Sequence, residues 1–179
     1  MRIQSLQGEW QFQRPTDDTW QSGTVPGGVY SDLLSNDAIP DPYDEDNELD
    51  VQWVGESDWT YERTVVVDEE LLAEDRVLLQ CEGLDTVATV LVNGESVGAS
   101  ENMHRRHEFD VTDAVEAGAN TVTVHFESPV EYSKRKAEAA DYAIPALRYP
   151  VDQPGRSHIR KAQCHYGWDW GPCLPTVGI

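Results

Sequence analysis

This chain of 179 residues is short of thiols, lysine and long apolar stretches: it has three cysteines, and only three of its 13 basic residues are lysines, Lys134, Lys136 and Lys161. No segment near Met1 resembles a signal peptide, and no apolar run approaches membrane-spanning length. The expectation is therefore a soluble, cytoplasmic protein without a membrane partner. No Asn-x-Ser/Thr acceptor occurs, and Cys81, Cys164 and Cys173 are an odd set with no secretion signal, which favours free thiols. Neither a Cys-x-x-Cys nor a His-x-x-x-His pair is present, so Cys81, Cys164, His165 and Cys173 match no common zinc site. No phosphate-cradling glycine loop or nucleophile elbow is present. No metal and no cofactor is expected.

Positive charge is scarce as well. Thirteen basic residues face 33 acidic ones, for a net charge of −20. Such a surface repels nucleic acid and anionic lipid, which excludes both as partners. It suits a salt-rich cytoplasm, where screening relieves self-repulsion, and points to a halophilic source. The acidity is uneven. Residues 1–131 hold 29 acids and 6 bases, whereas residues 132–179 hold 4 acids and 7 bases. A C-terminal quarter spared the acidic coat is one that faces protein or ligand, unless a basic helix alone accounts for it.

What is present in quantity is alternation. "GEWQFQR" (8–14), "WTYERTVVV" (59–67), "RVLLQCE" (76–82), "DTVATVLVN" (85–93), "SVGAS" (96–100), "HEFDV" (107–111) and "NTVTVHFES" (120–128) predict short strands. Asn93-Gly94 between two of them predicts a tight hairpin, and "EAGANT" a second turn. Helices are predicted to be short and peripheral: two turns in "GGVYSDLLSND", one in "DAVEAG", and one opening at Ser128 with Pro129 at N1 and Glu131 at N3. Residues 36–50 form a long loop. No repeat or linker divides the chain, so residues 1–179 are expected to form one all-β domain, an antiparallel β-sandwich.

The stretches "VPGGVYSDLL", "IPDPYDEDNE", "DWTYERTV", "GLDTVATVLVNGESVG" and "RKAQCHYGWDWGPCLPTVGI" resemble the N-terminal domain of β-mannosidases in glycoside hydrolase family 2. The likeness runs from Gly8 to Ile179, and "KAQCHYGWDWGP" is its most specific element. The resemblance implies a galactose-binding-like jelly roll at the head of a multidomain retaining enzyme. It further implies that an immunoglobulin-like domain and a TIM barrel lie outside these residues, the barrel carrying the catalytic glutamates. The family continues past "LPTVGI" through a strand that completes the sandwich, so an incomplete final strand and an exposed sheet edge are expected near Ile179.

Within the chain the candidate contacts are Trp168 and Asp169. A ring can meet the C–H face of a sugar, and a carboxylate can accept hydrogen bonds from neighbouring hydroxyls. By resemblance the pair belongs to the −1 subsite for a β-linked mannoside or oligosaccharide, with downstream domains of the same enzyme completing it. Gly171 and Pro172 are expected to make the turn that holds the pair. Trp170, on the opposite strand face, is expected to pack, and with His165 forms a secondary candidate. No carboxylate pair earns the acid/nucleophile assignment, so no residue here is expected to be catalytic. The acidic loop fails as a calcium loop, since Leu49 and Gly55 stand where glycine and glutamate are required. It is expected to be solvated and, by resemblance, to border the active-site entrance without contacting substrate directly. His104, Arg105, Arg106 and His107 form a basic patch expected at an ion-paired strand edge. Arg148, Arg156, His158, Arg160 and Lys161 are expected in interdomain salt bridges. Two rivals remain: an autonomous carbohydrate-binding module, and a scaffold domain of a β-galactosidase or β-glucuronidase type in which the tryptophans are packing.

Overall fold

The computed structural model describes residues 2–145 and 151–179. Its strands are β1 (Gly8–Gln13), β2 (Gln21–Val25), β3 (Trp59–Val67), β4 (Leu78–Cys81), β5 (Val87–Val92), β6 (Glu95–Glu101), β7 (His107–Asp110), β8 (Gly118–Phe126), β9 (Tyr166–Trp168) and β10 (Gly171–Cys173). Six of them form one sheet in the order β2-β1-β3-β8-β5-β6, every pair antiparallel. The ribbon β4–β7 faces it, and β9–β10 forms a separate hairpin. The all-β expectation and the short peripheral helices hold.

Register follows from alternation, because residues of one parity must share a face. Trp59, Tyr61, Val65 and Val67 of β3 point inward. Across the ladder Trp59 stands opposite Phe126 and Tyr61 opposite Val124, and β5 continues the layers with Ala88 opposite Phe126 and Val90 opposite Val124. Phe12 stacks on Tyr61 with ring centroids 5.5 Å apart, while Tyr61 meets Phe126 edge-on at 6.1 Å. The ribbon closes over this layer closely: a Cβ at Gly98 on β6 would lie 2.2 Å from the ring of Phe109 on β7. Asn93 and Gly94 take φ of 52° and 83°, as the predicted hairpin requires.

Among the described residues five α-helices lie outside the sheets: α1 (Val29–Ser35), α2 (Asn47–Asp50), α3 (Gln52–Gly55), α4 (Glu69–Leu72) and α5 (Pro129–Glu138). The Ser128 cap forms as expected, its hydroxyl accepting from the Glu131 amide at 3.0 Å. "DAVEAG" is not a helix. Asn120 is buried there and dictates a turn, accepting from the Glu116 amide at 2.8 Å and donating to the Glu116 and Gly118 carbonyls. The segment 36–50 is not a plain loop either, since it leads into α2 and α3. Nor does the C-terminal segment present a free edge. The Val177 carbonyl accepts from the Val29 amide, the Ile179 carbonyl accepts from the Gly27 amide, and Gly178 exchanges hydrogen bonds with Asp85 at 2.9 and 3.1 Å. These partners, Gly27 and Val29 on one side and Asp85 on the other, flank the segment from both sides.

Among the described residues no helix is long and apolar enough to cross a membrane.

Candidate sugar-contact hairpin

The segment 163–175 folds into a hairpin with a gripped base and a bare tip. Tyr166 pairs with Cys173 and Trp168 with Gly171. Asp169 and Trp170 are thus the turn itself, and Gly171 and Pro172 open the return strand instead of making the turn. Gly167 takes φ of 87°, a left-handed conformation that glycine adopts without a Cβ penalty. Trp168 is 47% exposed and Trp170 is 76% exposed. Trp170 therefore does not pack within this domain; it sits in the turn, and the base is too narrow to cover it. Asp169 is exposed as well. Among the described residues its carboxylate forms no hydrogen bond or ion pair, so the tip carries two rings and a carboxylate with free lone pairs.

Three-residue strands are not stable by themselves, and the grip on the base explains this one. Tyr166 and Cys173 are fully buried in a small core with Val87, Tyr132 and Ile159. The buried guanidinium of Arg156 donates to the Tyr166 carbonyl at 3.2 Å and lies 5.6 Å from the Tyr166 ring centroid. On the other strand Glu48 accepts from the Cys173 amide at 3.0 Å, and Gln52 donates to the Cys173 carbonyl at 2.8 Å. The acidic segment expected to be solvated thus turns Glu48 inward as part of the clamp on β10. Burial foremost, with Glu48 nearby, pushes the Cys173 thiol up to about 12, which leaves it protonated and unreactive at neutral pH. Cys81 is buried in the main core and Cys164 is exposed.

Below the hairpin lies a buried charge cluster. The Lys161 side chain has no exposure, and its ammonium donates to Asp85 Oδ2 at 2.5 Å and to the Thr176 carbonyl at 2.6 Å. His165 is half-buried, with Nδ1 3.5 Å from the same carboxylate oxygen, and the Thr86 hydroxyl donates to Asp85 Oδ1. Burial alone would raise the Asp85 pKa. His165, Lys161 and Thr86 outweigh it and hold the carboxyl below its usual range. Burial lowers the Lys161 pKa while Asp85 opposes that, and the direct contact between them makes the pair an ammonium and a carboxylate. Lys161 and Arg156 were expected to reach other domains; both are instead spent inside this one. His158 is half-buried and Arg160 exposed, while Arg148 lies outside the described residues. His165 is set beneath the tip and does not stand beside Trp168. In the basic patch Arg106 pairs with Glu82 at 3.1 Å, and His107 Nε2 lies 3.0 Å from the Ser100 hydroxyl.

Sequence reasoning missed Asp85, Lys161, Glu48 and Gln52 as parts of this unit. A lysine in a chain with so few of them was the available signal for Lys161. Nothing local marked Glu48 among its acidic neighbours.

Residues 10–179 match the family model described as "Glycosyl hydrolase 2 galactose-binding domain-like". A β-mannosidase of Bos taurus is 40% identical over 179 residues, which cover 98% of this chain and 20% of that protein. The crystal structure of a β-D-mannosidase from Dictyoglomus thermophilum superposes with a TM-score of 0.95 at 39% identity, over 99% of this chain and 22% of the other. An exo-chitosanase of Amycolatopsis orientalis gives a TM-score of 0.59 at 25% identity, over 67% of this chain and 16% of its own. The chain spans about a fifth of the length of the curated relatives it matches.

Proposed function

Because this chain belongs to the glycosyl hydrolase 2 galactose-binding-like domain family, we propose that it is the N-terminal domain of a retaining glycosidase that cleaves terminal β-mannosides. In this reading the acid/base and nucleophile glutamates lie in a downstream barrel, and Trp168 and Asp169 form one wall of the −1 sugar subsite. The observation that carries it is the bare Trp168-Asp169-Trp170 tip on a clamped base. A mannoside is favoured over a glucosaminide because the similarity to β-mannosidases is 39–40% identity across nearly the whole chain, against 25% across two thirds for the exo-chitosanase.

The chemistry available at the tip is binding. Retention needs two carboxyls about 5–5.5 Å apart across the scissile bond. Asp169 stands alone at the turn, so its role is to accept hydrogen bonds from sugar hydroxyls while the indole of Trp168 covers a C–H face. Once a partner domain excludes water, each charged hydrogen bond strengthens. Asp169→Ala in the full-length protein is expected to lower kcat/KM for an aryl β-mannoside by about ten- to a hundredfold, the worth of one or two such bonds. An unchanged kcat/KM would remove Asp169 from the site. Saturable binding of mannose by residues 1–179 alone, measured by calorimetry, would favour a free-standing binding module instead.

We further propose a salt-rich cytoplasmic setting. Its support is the placement of the charge: among the described residues Asp32 is buried and Asp85 is enclosed with Lys161, while most of the other acidic side chains are exposed and left to bind water and cations.

A further inference from the structure

We propose that Lys161 and Asp85 are positioning residues that aim the Trp168-Asp169 tip, a role that rests on the reading of that tip as a sugar contact. Lys161 Nζ reaches the carbonyl of Thr176, 15 residues further on, at 2.6 Å. That single hydrogen bond closes the loop containing β9, the turn and β10. The same ammonium holds Asp85 Oδ2 at 2.5 Å, and the Asp85 backbone exchanges two hydrogen bonds with Gly178. The two feet of the hairpin are thereby tied to one point just ahead of β5. His165 Nδ1 approaches that point from the start of β9 at 3.5 Å, and the Leu174 amide donates to the His165 carbonyl at 2.8 Å.

A fully enclosed ammonium is a costly way to fill space. Desolvating both charges offsets most of their attraction, and apolar residues of similar volume serve stability as well or better. What apolar residues lack is direction. A cation that must satisfy one carboxylate and one carbonyl, with no exposed side-chain surface to relax into, fixes where Thr176 sits relative to Asp85. The tip is some distance along a narrow lever, so a small slip at the feet displaces Asp169 by more. Arg156 and Glu48 restrain the strands across the hairpin, whereas Lys161 restrains its attachment to the domain. The pair therefore acts through Asp169 without touching substrate.

The test is a double-mutant cycle in the full-length protein, combining D85N/K161M with Asp169→Ala. Removing both charges avoids stranding one of them, so the variant is expected to keep its thermal midpoint while exchange of the 163–175 amides accelerates. We expect kcat/KM on an aryl β-mannoside to fall about tenfold in the native background and less than about threefold when Asp169 is already absent, because coupled residues are not additive. Equal losses in both backgrounds, or none, would overturn the proposal. Should D85N/K161M fail to fold, His165→Asn removes only the contact from the hairpin side. It should raise exchange at 163–175 and show the same dependence on Asp169, and no change in either overturns the proposal. If the native protein does not hydrolyse β-mannosides, the functional reading fails, and the exchange measurement still judges the anchor.

Discussion

Asp32 shows how one polar residue is made tolerable inside this core. Its carboxylate accepts from the Tyr61 hydroxyl at 2.6 Å and from the Thr24 amide at 3.0 Å, which ties α1 to β2 and β3. Burial raises its pKa, while these two hydrogen bonds pull the other way. A carboxyl raised in the fold contributes stability in acid that is lost as pH rises from the ordinary carboxylate range, near 4, through the native value. Tyr61→Phe removes one opposing bond, so the native value climbs further. The variant should lose about 1–3 kcal/mol near neutral pH, and the loss should shrink as pH falls through and below about 4, where the carboxyl becomes protonated in both states. Urea denaturation at several pH values checks this; a loss that grows on acidification would contradict it. Asp85 has the opposite sign. Its lowered carboxyl adds stability above the ordinary range that disappears as pH falls through the native value.

The elements divide by how much of their cause is local. β3 and β8 were legible because their apolar residues alternate over nine positions each, and the Asn93-Gly94 hairpin because both residues accept positive φ. β2, "QSGTV", was not legible. It is a polar edge strand, and Gly23 is inward because a Cβ there would meet Phe12, Asp32 and Tyr61 at 3.1–3.3 Å. β9 and β10 are three residues each, too short for any period, and exist because Arg156, Glu48 and Gln52 reach them from elsewhere. The candidate tip was therefore visible as "WDWGP" while its support was not. That support also depends on the 3-10 turn Pro154–His158, which is pressed against α5. A Cβ at Gly155 would lie 2.5 Å from the Ser133 carbonyl carbon and 2.6 Å from the Lys134 nitrogen. Both are backbone atoms, so neither can swing aside. Gly155→Ala should cost about 1–3 kcal/mol as the turn and helix separate, and should loosen Arg156 from Tyr166. Differential scanning calorimetry would detect this as a thermal midpoint lowered by several degrees; a midpoint within one degree of the parent would show that the contact yields.

For the whole molecule the deciding quantity is net charge. Twenty uncompensated negative charges on a chain of 179 residues raise the energy of any compact state. Exposed pairs such as Arg76–Asp110 and Arg135–Glu127 do little to offset this, because each contributes at most about 1 kcal/mol and weakens in salt. The C-terminal quarter adds less relief than its sequence suggests, since two of its seven cations, Arg156 and Lys161, are buried and held by internal partners. Raising ionic strength from 0.1 to 1 M shortens the screening length from about 10 Å to about 3 Å. Repulsion between acidic side chains then fades faster than the few favourable pairs, while the enclosed Lys161–Asp85 pair is shielded from the change. Thermal stability should therefore rise by several degrees between 0.1 and 1 M potassium chloride. Potassium chloride suits the experiment because it is not strongly excluded from protein surfaces, so a gain reflects screening and not enhanced apolar burial. A midpoint that falls with potassium chloride would mean that the exposed pairs outweigh the acidic coat, and the salt-adapted reading would fail with it.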